Sequence, residues 1–122
     1  MAKPKVESVI TVFPVKDLNR SVQFYADTLG FHVDWRRPVI ASVSRDGRPI
    51  MLFQNIPSDA PSWVFIGLND YALFDHYRSM GVKVRQEPEN HEWGYEMKFE
   101  DIDGNVLWLA TETRDDIPLD DG

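Results

Sequence analysis

Large apolar residues take every second position at Trp93, Tyr95, Met97 and Phe99, while Glu96, Lys98 and Glu100 fill the alternate ones. That is the period of a strand with one buried face. Asp103-Gly104 supplies the turn that follows, since both residue types tolerate the positive φ of a tight hairpin loop. Val106, Leu107, Trp108 and Leu109 are apolar on both faces. They predict a return strand covered on both sides, by a helix on one and by a cavity or a partner subunit on the other.

The same periods organise the rest of the chain. Ser8 to Val15 alternates and is rich in Val, Ile and Thr, a strand composition. Asp17 stands as a helix N-cap, and Leu18, Val22, Tyr25 and Leu29 form one apolar stripe that Gly30 ends. Three strands follow, Phe31 to Trp35, Val39 to Ser44 and Pro49 to Gln54, the last two joined across Asp46-Gly47. Asn55 to Ser62, with Pro57 and Pro61, has turn composition and reads as a linker. From Trp63 the order returns: a strand to Leu68, a cap at Asn69 or Asp70, a helix burying Leu73, Phe74, Tyr77 and Met80, and Gly81 at its end. A strand over Val82 to Gln86, a polar loop with Pro88 and Asn90, and the opening hairpin complete the second unit. The expected fold is therefore α+β, two βαβββ modules over about 6–54 and 63–112 of one domain spanning 1–122. Cap and turn recur at nearly one spacing, Asp17 with Asp70 and Asp46 with Asp103, so an internal duplication is the economical origin. The acidic tail, 113–122, is expected to be mobile.

Composition narrows the chemistry. The chain has 122 residues, 43% hydrophobic and 27% charged, the size and balance of one globular unit. It has no cysteine, which excludes disulfides, thiolate metal sites and cysteine nucleophiles together. No apolar run is long enough to cross a bilayer and the first residues do not read as a leader, so a cytoplasmic protein without a membrane partner is expected. A net charge of −7 and a pI near 4.8 argue against nucleic acid and favour a cationic ligand. Part of that charge sits in the tail, at Asp115, Asp116, Asp120 and Asp121. The histidines, His32, His76 and His91, fall at a strand start, on a helix and in a loop, and form no evident ligand set.

Two motifs carry a resemblance. The element DLxxSxxFYxxxLGF (Asp17, Leu18, Ser21, Phe24, Tyr25, Leu29, Gly30, Phe31) and the element DxDGN (Asp101, Asp103, Gly104, Asn105) resemble the vicinal oxygen chelate superfamily. That superfamily includes glyoxalase I, extradiol dioxygenases, fosfomycin resistance proteins and bleomycin resistance proteins. The resemblance runs from Ser8 to about Thr111 and implies curled sheets whose concave faces enclose a pocket. Metal-dependent members place His, Gln or Glu at the first and last strands of each half. Carried onto this chain, those positions are Ile10, Leu52, Trp63 and Trp108, none of which ligates a divalent ion. Val9, Thr11, Met51 and Phe53 beside them are no better, and Gln54 is the one nearby donor.

What the resemblance leaves in the pocket is aromatic: Trp63 and Trp108, with Phe65 on the face of Trp63 and Leu52 from the other half. Such rings stack planar ligands and hold cations over their faces. This is similar to the bleomycin resistance branch, whose members sequester the drug without chemistry as strand-exchanged homodimers. Trp93, in its Trp-Gly context, resembles a tryptophan presented to ligand, and Glu96 is expected to meet a cationic tail. The implied function is a drug-sequestering, metal-free and cofactor-free homodimer that binds a planar, cationic, bleomycin-like small molecule. The alternatives are a metal-dependent enzyme of the superfamily, glyoxalase-like lyase or dioxygenase, with ligands in another register, and a binder of an unrelated metabolite. Core packing competes with ligand contact for every aromatic residue; Tyr25 and Tyr77 are assigned to it, and Trp35 to core or interface.

Overall fold

Ten elements follow one another as two copies of the order βαβββ in the computed structural model, which describes residues 3–56 and 60–120. Pro57 of the expected linker and Asp121 of the tail lie outside the described residues. The first module comprises β1 (Val12–Pro14), α1 (Leu18–Asp27), β2 (His32–Arg36), β3 (Ile40–Arg45) and β4 (Arg48–Phe53). The second comprises β5 (Trp63–Gly67), α2 (Ala72–Ser79), β6 (Lys83–His91), β7 (Gly94–Glu100) and β8 (Val106–Thr111). Each module forms a four-stranded mixed sheet, ordered β1-β4-β3-β2 and β5-β8-β7-β6. The first and last strands of each module pair parallel, as a strand returning after a helical crossover must, and the remaining pairs are antiparallel. The α+β fold of two βαβββ modules is as the periodicity predicts.

The local signals act largely as read. Asp17 sits in extended backbone and its carboxylate accepts from Arg20 N at 3.3 Å, capping α1. Asp46 and Gly47 both take positive φ, the signature of a two-residue hairpin turn. Four elements differ. The N-cap of α2 is Tyr71, without a side-chain cap bond, in place of Asn69 or Asp70, and Met80 at its end is exposed and not on the buried side. β1 is only three residues long: pairing with β4 starts at Val12, and Val6 and Val9 before it are exposed. β6 runs on through the expected loop to His91. It is an edge strand, and bulges between Val84 and Gln86 and between Gln86 and Glu89 accommodate Pro88, which has no N–H to donate. The expected Asp103-Gly104 turn is a five-residue loop in which only Gly104 has positive φ, wrapped around the carboxylate of Asp101.

The apolar faces of both sheets feed one buried cluster. Phe13, Tyr25, Leu29, Val43 and Leu52 of the first module join Phe74, Tyr77, Met97, Phe99 and Leu107 of the second. Tyr77 seals the junction by donating its hydroxyl to the carbonyl of Leu29 at 2.6 Å. The two recognised motifs interlock across the same junction. Asp101 accepts from the Tyr25 hydroxyl at 2.7 Å and from the backbone of Asp103 and Asn105. Asp103 accepts from the Ser21 hydroxyl at 2.6 Å and from Lys16 N at 2.9 Å. Asn105 donates to the Pro14 carbonyl and accepts from Ser62 N, so one side chain ties β1 to β5. Burial pushes the Asp101 carboxyl up, against the pull of these hydrogen bonds.

The tail is docked, contrary to the expectation of mobility. Asn90, fully buried, accepts from Arg114 N and donates to the carbonyls of Arg114, Ile117 and Pro118. Its backbone exchanges two hydrogen bonds with Asp120, and Arg114 lies over the rings of Tyr71 and Tyr95. A buried amide surrounded by backbone groups is satisfied only by a segment that comes to it, and residues 114–120 do so.

Candidate functional site

The hydrogen-bonding register sorts the second sheet into two faces. Opposite the core lie Trp63 and Phe65 of β5, Trp108 of β8, and Glu96 and Lys98 of β7, because Phe65 pairs with Trp108 and Trp108 pairs with Lys98. Three rings surround Trp108 edge-on: Phe65 at 5.1 Å between centroids, Trp93 at 5.7 Å and Trp63 at 6.5 Å. Trp63, Phe65 and Trp93 are 47%, 55% and 56% exposed, so this is an open aromatic face and not a core. Trp93 stands outside β7, stacked on His91 at 5.3 Å, and turns to the side of Glu96 instead of following the Tyr95, Met97 and Phe99 period. Gly94 beside it is required for close approach, since a Cβ there would meet the Thr111 carbonyl at 2.9 Å.

A polar row borders the rings. Lys98 donates to Glu96 at 2.8 Å and to Gln86 at 2.6 Å, and Gln86 donates to Glu96 in turn. Glu96 is buried, with its charge met by Lys98 and with His91 3.9 Å away. The Lys98 ammonium lies 4.9 Å from the centre of Trp108 and 5.9 Å from that of Trp63, and the Arg85 guanidinium lies 5.1 Å from Trp63. The indoles therefore already carry cations of the protein itself. The carboxylate expected to receive a ligand's cationic tail is engaged.

The six residues picked from the sequence divide. Trp63, Phe65, Trp93, Glu96 and Trp108 come together on this face. Leu52 does not, and its expected place is corrected here: it is fully buried on the core face of β4, paired with Phe13 and Ala41. A one-residue slip reverses the face of a strand, and Met51 and Phe53 are the β4 residues turned away from the core. Ile10 likewise precedes β1, and Val12 pairs with Met51 at the corresponding place. These positions hold thioether and hydrocarbon side chains, so the correction adds no oxygen or nitrogen donor, and the donor set does not fit a divalent metal. Among the described residues no three His, Asp or Glu side chains are grouped as a metal site would require. Lys98, Gln86 and Arg85 were missed, because alternation alone marks them as solvated. Asp34, also missed, is held on the open side of the first sheet by the Ser42 and Ser44 hydroxyls at 3.0 and 2.7 Å.

A cleft of about 640 Å³ lies beside the outer edge of β5, lined by Phe31, Arg45, Ile50, Phe65, Leu68 and Tyr77 among others. It separates the β3–β4 hairpin from the second module.

The family model described as the glyoxalase/bleomycin resistance protein/dioxygenase superfamily matches residues 9–109. Among solved structures, the chain is similar to TioX from Micromonospora sp. ML1, at 15% identity over 88% of this chain and 99% of that one, with a TM-score of 0.78. It is similar to a bleomycin resistance determinant encoded on the transposon Tn5, at 21% identity over 88% and 98%, TM-score 0.76. It is also similar to TnmS3, an antibiotic binding protein from Streptomyces sp. CB03234, at 26% identity over 93% and 99%, TM-score 0.77. No curated protein matches the chain.

Proposed function

The chain belongs to the glyoxalase/bleomycin resistance protein/dioxygenase superfamily, and we propose that within it this protein is a binder of the bleomycin resistance type, sequestering a planar small molecule without chemistry. The observation that carries the reading is the open aromatic face of Trp63, Phe65, Trp93 and Trp108, two of which, Trp63 and Trp108, stand where the resemblance puts the oxygen and nitrogen donors of metal-dependent relatives. Flat rings on a fixed sheet bind a planar ligand at small entropic cost. Solved relatives named for bleomycin resistance and antibiotic binding support it. The cysteine-free sequence suits a reducing compartment such as the cytoplasm.

The working form is a homodimer. Both sheets give their apolar faces to one shared core, so their open faces point away from it and one chain cannot close a pocket between them. A second copy supplies the wall, first sheet against second. The exposed segment before Thr11, with Val6 and Val9, then crosses to the partner, and the cleft along β5 is its receptor. Replacing Trp63 and Trp108 by Leu together tests the face. Calorimetry with metal-free bleomycin should show a loss on the order of 30-fold, roughly 2 kcal/mol for two aromatic contacts. Unchanged affinity in a variant with native circular dichroism would sink the assignment.

A further inference from the structure

The aromatic face has an unmet need that specifies its ligand. The indole Nε1 of Trp108 is buried and has no hydrogen-bond partner among the described residues. An unpaired buried donor is costly, so such a group marks a place where an acceptor from outside belongs. The group beside it has the same polarity. Lys98, the cross-strand neighbour of Trp108, spends two of its three ammonium protons on Glu96 and Gln86. The acceptors of this row are committed inward, Glu96 to both Lys98 and Gln86 and Gln86 to Lys98. Two cations, Lys98 and Arg85, already lie over the Trp63 and Trp108 rings.

We infer that this face selects a planar aromatic ligand carrying an acceptor oxygen, a carbonyl, carboxylate or phenolate on or beside the ring, which takes the Trp108 indole N–H and the free Lys98 proton. A cationic group attached to the ring is rejected, because it finds Lys98 and Arg85 in the positions it would take. A cationic arm, where a ligand has one, lies off this face. The indole nitrogen is shielded by its neighbours, and the exposed rings of Trp63, Phe65 and Trp93 are the side chains that give way as the ligand enters. The inference rests on the face being a ligand site and adds the polarity of the ligand, against the expectation drawn from the net charge of −7.

Three probes of one shape decide it: 2-naphthoate, naphthalene and 2-naphthylmethylammonium, titrated into the full chain while the four tryptophan indole N–H resonances are followed by NMR. The Trp108 resonance is identified by its loss in Trp108→Phe. The expected order of affinity is naphthoate, then naphthalene, then the ammonium, with the Trp108 resonance moving downfield only for naphthoate. Trp108→Phe, which keeps a ring and removes the donor, should weaken naphthoate about tenfold more than it weakens naphthalene, the worth of one hydrogen bond to a charged acceptor. Ammonium binding as tightly as naphthoate, or Trp108→Phe weakening naphthoate no more than naphthalene, overturns the inference while the ligand-site reading stands. No binding of any probe overturns both.

Discussion

Tyr25 and Tyr77 are fully buried phenols that hold the modules together from opposite sides, one through Asp101 and one through the Leu29 carbonyl. Burial pushes Tyr77 up to about 12, and burial together with the Asp101 charge pushes Tyr25 well above its ordinary value. Above pH 10 the unfolded chain ionises these phenols while the folded chain keeps them protonated. The native state then holds more protons, and stability falls as pH rises. Each phenol approaches a loss of roughly 1.4 kcal/mol per pH unit in that range. Urea unfolding between pH 10 and 12 should show the fall, and Tyr77→Phe should remove about half of its slope; an unchanged slope would mean the phenol is not linked to folding. Residue identity was legible here from the helical stripe, but orientation in β4 was not. Pro49 to Phe53 is apolar at every position, so no alternation distinguishes Leu52, in the core, from Met51 and Phe53, outside it.

At the scale of elements, most strands and both helices announced by period and punctuation are found near where they are expected, β1 being shorter than its alternation suggests, and segments set by partners are not. The second half of β6 reads as a loop because Pro88, Glu89 and Asn90 are poor strand formers, yet β7 supplies a continuous template beside it. The tail reads as solvated because it is acidic. Its order comes from Asn90, whose buried amide is capped by backbone more than twenty residues away, a relation no local pattern carries. Asn90→Ala should therefore cost about 2 kcal/mol, from several backbone groups losing a buried partner. Amide exchange over 112–120 should quicken to the rate of an open segment, whereas protection retained in the variant would mean another contact holds the tail. Much of the aromatic face was legible, because the resemblance points to Trp63 and Trp108 and Phe65 shares the strand face of Trp63. Its polar border was not, since Lys98 and Gln86 gain their meaning only from the pairing of β6 with β7.

For the whole molecule, the two motifs that reveal the family are its internal latch: Ser21 and Tyr25 of α1 bond Asp103 and Asp101 of the loop before β8. That explains why such motifs report the fold and leave the activity to be argued from the open faces. On the proposed reading those faces, turned away from the shared core, are completed by a second copy. Light scattering at micromolar concentration should give twice the 14.1 kDa of one chain, and removal of residues 3–10 should shift the mass toward that of the shortened monomer. A monomer from the intact chain would contradict the assembly. The central claim is that this face holds a planar ligand with no metal, and titration of metal-free bleomycin into chelator-treated protein, followed by tryptophan fluorescence with metal assayed on the same sample, tests it most directly. The account predicts saturable quenching near one drug per chain and no stoichiometric metal; absence of quenching, or binding that appears only when a divalent ion is restored, would contradict it.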